Sequence, residues 1–151
     1  MSQLAPLSLA LVLLGTARAA DPVPEKIVAY REKEMKAGAN HFGMASLIAS
    51  GAVARPQDAL MHSVAMHDLA KTTLDLFPQS TAPDKLKSES KPEIWSDAVG
   101  FAEAAKSYEA ETAKLVEAAK EATLDNWKVQ LDKVGNACGA CHDKYRIEDK
   151  H

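Results

Sequence analysis

The last helical stretch of the chain constrains everything before it. From Leu124 onward, Trp127, Leu131, Val134, Cys138, Cys141 and Tyr145 follow in alternating steps of three and four, which is one face of an α-helix. Two thiols therefore continue the face that carries the apolar core, so whatever they bind lies inside the fold. They belong to Cys138-Gly139-Ala140-Cys141-His142, and the C-x-x-C-H pattern is an attachment signal for c-type haem. Each thiol adds across one haem vinyl group, while the adjacent imidazole binds the iron from the same side. Cys138 and Cys141 are then the covalent anchors and His142 an axial ligand.

Three other chemistries compete for this pentapeptide. A redox dithiol sits at a helix N-terminus after a strand, where the first thiol is acidified. These cysteines instead follow a long helical pattern. Zinc needs four ligands, and Cys138, Cys141, His142 and His151 supply them only at a spacing outside the usual finger pattern. A plain disulfide is the third alternative.

At 151 residues the chain is one domain's worth, with enough length to bury a core without disulfide staples. Strand formers are sparse and Ala, Lys, Glu and Leu abundant, which points to an all-α protein. A formal net charge of -3 lends nucleic-acid binding no electrostatic support.

Residues 4–15 are mostly apolar, too few to span a bilayer, and Ala17-Arg18-Ala19 is a small-x-small cleavage signal. Residues 1–19 are expected to be a cleaved secretory signal peptide, leaving 20–151 as a single exported domain without stable membrane insertion. Met1-Ser2-Gln3 carries no Lys or Arg, so an uncleaved anchor is the competing reading.

Pro24 suits the first turn of a helix over residues 25–50, and Gly51 suits its stop. Its expected stripe is Ile27, Arg31, Met35, Gly38, Phe42, Ala45 and Ala49, with Gly38 and Ala39 leaving room for something flat. The charges of residues 31–36 outside that stripe are expected to be solvated. A second helix over 57–77 is expected to turn Leu60, Val64, His67 and Leu74 to one face, and Pro78 ends it. Residues 78–92 are polar and proline-rich, a long and loosely ordered connection. Pro92-Glu93 opens a third helix with the stripe Ile94, Ala98, Phe101, Ala105, Tyr108, Thr112, Leu115 and Ala119. Thr123 is a candidate cap for the fourth. Gly135 and Gly139 weaken that helix, and close approach to a porphyrin would explain them. Trp95 and Trp127 are expected to wall the cofactor pocket and keep it dry. Met44, Met61 and Met66 are expected to be packing residues, and His41, His62 and His67 surface or hydrogen-bonded histidines.

These residues together resemble the class II cytochromes c, the cytochrome c′ family. The resemblance rests on CGACH followed by Asp143-Lys144-Tyr145-Arg146, on Tyr30-Arg31, and on Pro92-Glu93-Ile94-Trp95. It implies an antiparallel four-helix bundle in the bacterial periplasm holding one haem c, with His142 as proximal iron ligand. Arg146 matches a family arginine beside the haem, Arg31 is a further cofactor-contacting position, and Phe42, two turns after Met35, is expected at the haem edge.

The family divides by what faces the other side of the iron. High-spin members carry an apolar residue four positions after the first-helix arginine and leave the iron five-coordinate. Low-spin members carry a methionine there, and four after Arg31 stands Met35. The resemblance thus favours His142 and Met35 as axial pair and a one-electron carrier in the low-spin, methionine-ligated branch. The alternative is a five-coordinate cytochrome c′ that binds nitric oxide or carbon monoxide. Enzyme activity is not expected, since no distal acid-base pair is evident. Expected partners are redox proteins, with basic patches complementing the acidic chain, and a second copy pairing through the first two helices.

Overall fold

The structure, a computed structural model, describes residues 23–121 and 123–147. The expected signal peptide and His151 lie outside the described residues.

Helix α1 runs Pro24–Ala49, opening on the proline whose missing N–H costs nothing in a first turn. Gly51, at φ +76°, supplies the left-handed turn that takes the chain away from it. A 3-10 turn at Pro56–Asp58 leads into α2, Ala59–Thr72, and further 3-10 turns follow at Thr73–Leu76 and Gln79–Thr81. The one-turn α3, Glu93–Ser96, precedes α4, Ala98–Ala118, and α5, Asp125–Tyr145, closes the chain. The long helices form an antiparallel four-helix bundle: α1 lies against α2, α2 against α4, α4 against α5, and α5 again against α1.

The seam read from α5 is the centre of the core. Trp127 and Val134 are fully buried, packed with Leu131 among Leu115, Met66, Ala45, Ile48 and Ala59. The Trp127 indole N–H donates to Ser63 Oγ at 2.9 Å, so its one polar atom is satisfied inside an apolar cluster. A second cluster of Ile94, Phe101 and Tyr145 closes the other end, with Phe77, Trp95 and Cys141 against it.

Four expectations fail here. The third helix is not continuous, because Asp97 leaves helical geometry (φ -118°, ψ 53°) and caps α4 by accepting from the Gly100 N–H. On α2 the buried face is Ala59, His62, Ser63, Met66 and Ala70, while Leu60, Val64 and Leu74 are exposed. Hydrophobicity alone misassigns it, since polar His62 and Ser63 find hydrogen-bond partners inside. Thr123 does not cap α5, whose N-cap position is Leu124 with no side-chain cap bond. The 78–92 connection is pinned rather than loose: the Lys91 N–H donates to Tyr145 O at 2.9 Å and the Ile147 N–H to Glu89 O at 2.8 Å.

Candidate haem site

A cleft opens between α1 and α5, floored by α2 and α4. Its two adjoining lobes, of about 200 Å³ and about 300 Å³, share Met35, Ala39, Thr73, Cys141 and His142. The predicted anchors, ligands and contact residues Cys138, Cys141, His142, Met35, Arg31, Phe42 and Arg146 all line it. Cys138, Phe42 and Gly38 line the first lobe, and Arg31 and Arg146 the second.

The first lobe is apolar, walled also by Met66, Leu69, Ala105, Tyr108 and Ala137. Burial pushes the Cys138 thiol up to about 11, helped by neighbouring Cys141, and burial also raises Cys141. Thiols raised in this way are poor redox nucleophiles, which counts against the dithiol reading. Among the described residues, no group of three or more His, Cys, Asp or Glu side chains is arranged to hold a metal ion. Covalent capture of a flat apolar macrocycle suits such a wall. The Tyr108 hydroxyl is also held far above its ordinary range, by burial first and then by Cys138 and Glu34. His142 stands at the cleft's rim, its basicity lowered by the surrounding walls and then by Arg146. The neutral imidazole is the form that ligates iron.

The second lobe is polar at its far end, and Arg31 carries the argument there. This side chain is 4% exposed. Its Nη1 donates to Leu76 O at 3.1 Å and to Thr81 Oγ1 at 3.2 Å, while the guanidinium lies 4.4 Å over the Phe77 ring. Its Nη2 is buried without a hydrogen-bond partner. A charged donor left so costs about 1–3 kcal/mol or more. An anionic group entering the lobe removes that cost, and a haem propionate is such a group. The residues present therefore fit haem c: Cys138 and Cys141 to hold it covalently, His142 to ligate its iron, Arg31 to meet a carboxylate. Arg146 lies at the same lobe, ion-paired with Glu89 at 2.9 Å.

Several assignments need correction. Neither Trp95 nor Trp127 lines the cleft; Trp127 is core, and the Trp95 indole donates to Phe77 O at 3.2 Å. Gly135 does not face the cleft: a Cβ there would stand 3.0 Å from Phe42 Cζ, so this glycine makes room for the phenyl ring. Of the charges expected to be solvated, Glu34 is buried, accepting from Thr72 Oγ1 at 2.9 Å in the cleft wall. Met66, read as packing, is both core and cleft wall. Glu34 and Met66 give no distinctive sequence signal, because only the α1–α2 packing turns them inward.

The comparisons agree with this geometry. Residues 26–146 match the family described as Cytochrome C′. The cytochrome c′ of Rubrivivax gelatinosus is 34% identical over 82% of this chain and 95% of its own length. The cytochrome c-556 of Rhodopseudomonas palustris is 30% identical over 93% of each chain. Among solved structures, the nitric oxide complex of a point mutant of the Alcaligenes xylosoxidans cytochrome c′ superposes with a TM-score of 0.77. It is 28% identical, over 85% of this chain and all of that one. A bundle of this topology, with a haem-attachment motif on its last helix and a matching profile along nearly all of its described length, belongs to the cytochrome c′ family and carries covalently bound haem c.

Proposed function

We propose that this chain is a periplasmic haem protein that binds a diatomic gas, nitric oxide or carbon monoxide, at the iron face opposite His142. The observation that carries the reading is the makeup of the opposing wall. Met35, Gly38, Ala39, Phe42, Met66 and Leu69 offer no imidazole or thiolate, so the only soft donors there are thioethers. A small uncharged gas competes well on such a face. The cytochrome c′ names of the relatives and the nitric oxide complex of a structural neighbour support it.

When bound, haem supplies an iron that takes an axial ligand or exchanges one electron. The chain's own side chains orient it and exclude water. Phe42 and Leu69 dry the face, Arg31 neutralises a carboxylate, and His142 sits beside its anchoring cysteine.

A second reading rests on Met35. It borders both lobes together with His142, and this reading assigns its thioether to the sixth position. The chain would then be a His/Met one-electron carrier passing electrons to a redox protein. In neither reading is the chain an enzyme. We further propose a homodimer, supported by exposed Met44, Leu47, Leu60, Met61 and Val64 on α1 and α2.

The test is the optical spectrum of the haem-loaded protein, reduced, before and after carbon monoxide. Gas binding predicts a broad unsplit visible band that shifts at once with the gas. Sharp split bands indifferent to it overturn the reading in favour of the carrier. In that case Met35→Ala should make the iron five-coordinate and gas-reactive.

A further inference from the structure

Away from the anchoring motif, α1 and α2 are joined by two imidazoles. The Nδ1 atoms of His41 and His62 lie 3.0 Å apart, with ring centroids 5.3 Å apart and ring planes tilted by 53°. A ring nitrogen stands about 1.2 Å from its centroid. The two centroid-to-nitrogen vectors and the gap between nitrogens therefore account for the whole centroid separation, and the nitrogens point straight at each other. Such an arrangement is a hydrogen bond with one proton between two lone pairs. It is not the convergent geometry of a shared metal ion. His62 is 4% exposed and His41 half-buried.

A head-on pair has a definite proton capacity. When both rings are neutral, one Nδ1–H donates to the other Nδ1. A first added proton settles on an outward Nε2 and leaves a charge-assisted bond in place. A second proton has only the accepting Nδ1 to occupy, which sets two N–H groups and two positive charges nose to nose.

The charged groups facing the pair do not relieve that repulsion. Asp58, at the turn before α2, favours a protonated His62, but it is ion-paired with Arg55, which opposes it. Burial and His41 are the leading causes that hold His62 below the ordinary imidazole value. A folded-state value depressed in this way means the closed pair is stable above about pH 6.5 and loses stability as pH falls below it.

The position of the pair gives this chemistry a consequence. Phe42, the residue after His41, and Met66, one turn after His62 on α2, both wall the first lobe of the cleft. We propose that the His41–His62 pair is a proton-operated clasp on the gas-facing wall of the haem cleft: closed at neutral pH, and opened by double protonation so that Phe42 and Met66 part and the iron becomes more accessible. The coupling to ligand access rests on the gas-binding reading; the clasp itself does not.

The experiment uses the haem-loaded protein from pH 7.5 to 5. Carbon monoxide association with the ferrous form is followed by stopped flow, alongside protection factors for amides of α1 and α2. Protection around His41 and His62 should fall at least tenfold at the acid end, and the association rate should rise several-fold with the same midpoint. Both responses should flatten in His41→Gln, a half-buried position where the amide keeps a hydrogen bond but cannot take a proton. Protection that is flat with pH, or an acid response that survives in His41→Gln, overturns the clasp. Loss of protection with a pH-independent association rate overturns the coupling to access. Loss of protection with no carbon monoxide binding leaves the clasp standing and refutes the gas reading instead.

Discussion

Gly135 and Gly139 are equivalent as sequence, two glycines four apart in a helix, and each costs that helix about 1 kcal/mol relative to alanine. Their surroundings separate them. A Cβ at Gly139 meets nothing within 4 Å, whereas one at Gly135 stands 3.0 Å from Phe42 Cζ and 3.5 Å from Cε2. Gly139→Ala should therefore raise the melting temperature of the haem-loaded protein, by an amount equivalent to up to about 1 kcal/mol. Gly135→Ala should show no gain or a loss, because the phenyl ring must move out of a cleft wall to admit the methyl. Equal increases for the two variants in a thermal melt would show that Phe42 does not constrain that position. Arg31 makes a similar point about legibility. Its place on a helical stripe was visible, but the buried, unpartnered Nη2 that marks the anion end of the cleft emerges only from packing.

Among the elements, the break between α3 and α4 is the instructive one. The period from Ile94 to Leu115 runs through Asp97 undisturbed, so hydrophobic spacing predicts one helix. The interruption was nonetheless written in the chain, as an aspartate three residues before Gly100, the spacing of an N-cap. What the sequence did not reveal is that Asp97 ties α4 to α5. Its carboxylate accepts from Lys144 Nζ at 2.7 Å, from the Tyr145 hydroxyl at 2.9 Å and from the Gly100 N–H at 3.2 Å. Those bonds, Lys144 first, hold the carboxyl below its ordinary value. The sign follows: the stabilisation is present above about pH 4, the unfolded value, and disappears as pH falls through the lower folded one. Asp97→Asn should thus melt at a lower temperature than the parent at pH 7, with the gap closing below pH 4. A gap that stays constant down to pH 2.5 would mean that the carboxylate's charge contributes nothing. The α5 seam was legible for the converse reason: its apolar residues keep one period from Trp127 to the motif, and Gln130, buried beside them, is satisfied by Glu111 on α4 without interrupting it.

The whole molecule is a bundle with one seam left incomplete. α5 is packed along α4, and α2 links α4 to α1, but α1 meets α5 across a cleft whose walls are apolar and whose far end holds an unpaired guanidinium nitrogen. In the arrangement proposed above, haem c would be both the functional group and the filling of this seam, its faces against the apolar lobe and a propionate against Arg31. Stability should then depend on the cofactor unevenly. A Cys138→Ala, Cys141→Ala double variant, which removes both covalent anchors, should keep the cluster around Trp127, Leu115 and Val134, because no cleft contact is needed to bury those side chains. It should lose order where α1 relies on the filled cleft, from Arg31 to Phe42. Amide hydrogen exchange resolves the two regions in one experiment. Protection should persist in α4 and the first half of α5 and fall in the middle of α1, with a lower melting temperature overall. Uniform loss of protection would make the cofactor a condition for the entire core. Unchanged protection in α1 would mean that the helix is held by α2 alone and that Arg31 tolerates its unpaired nitrogen without a ligand.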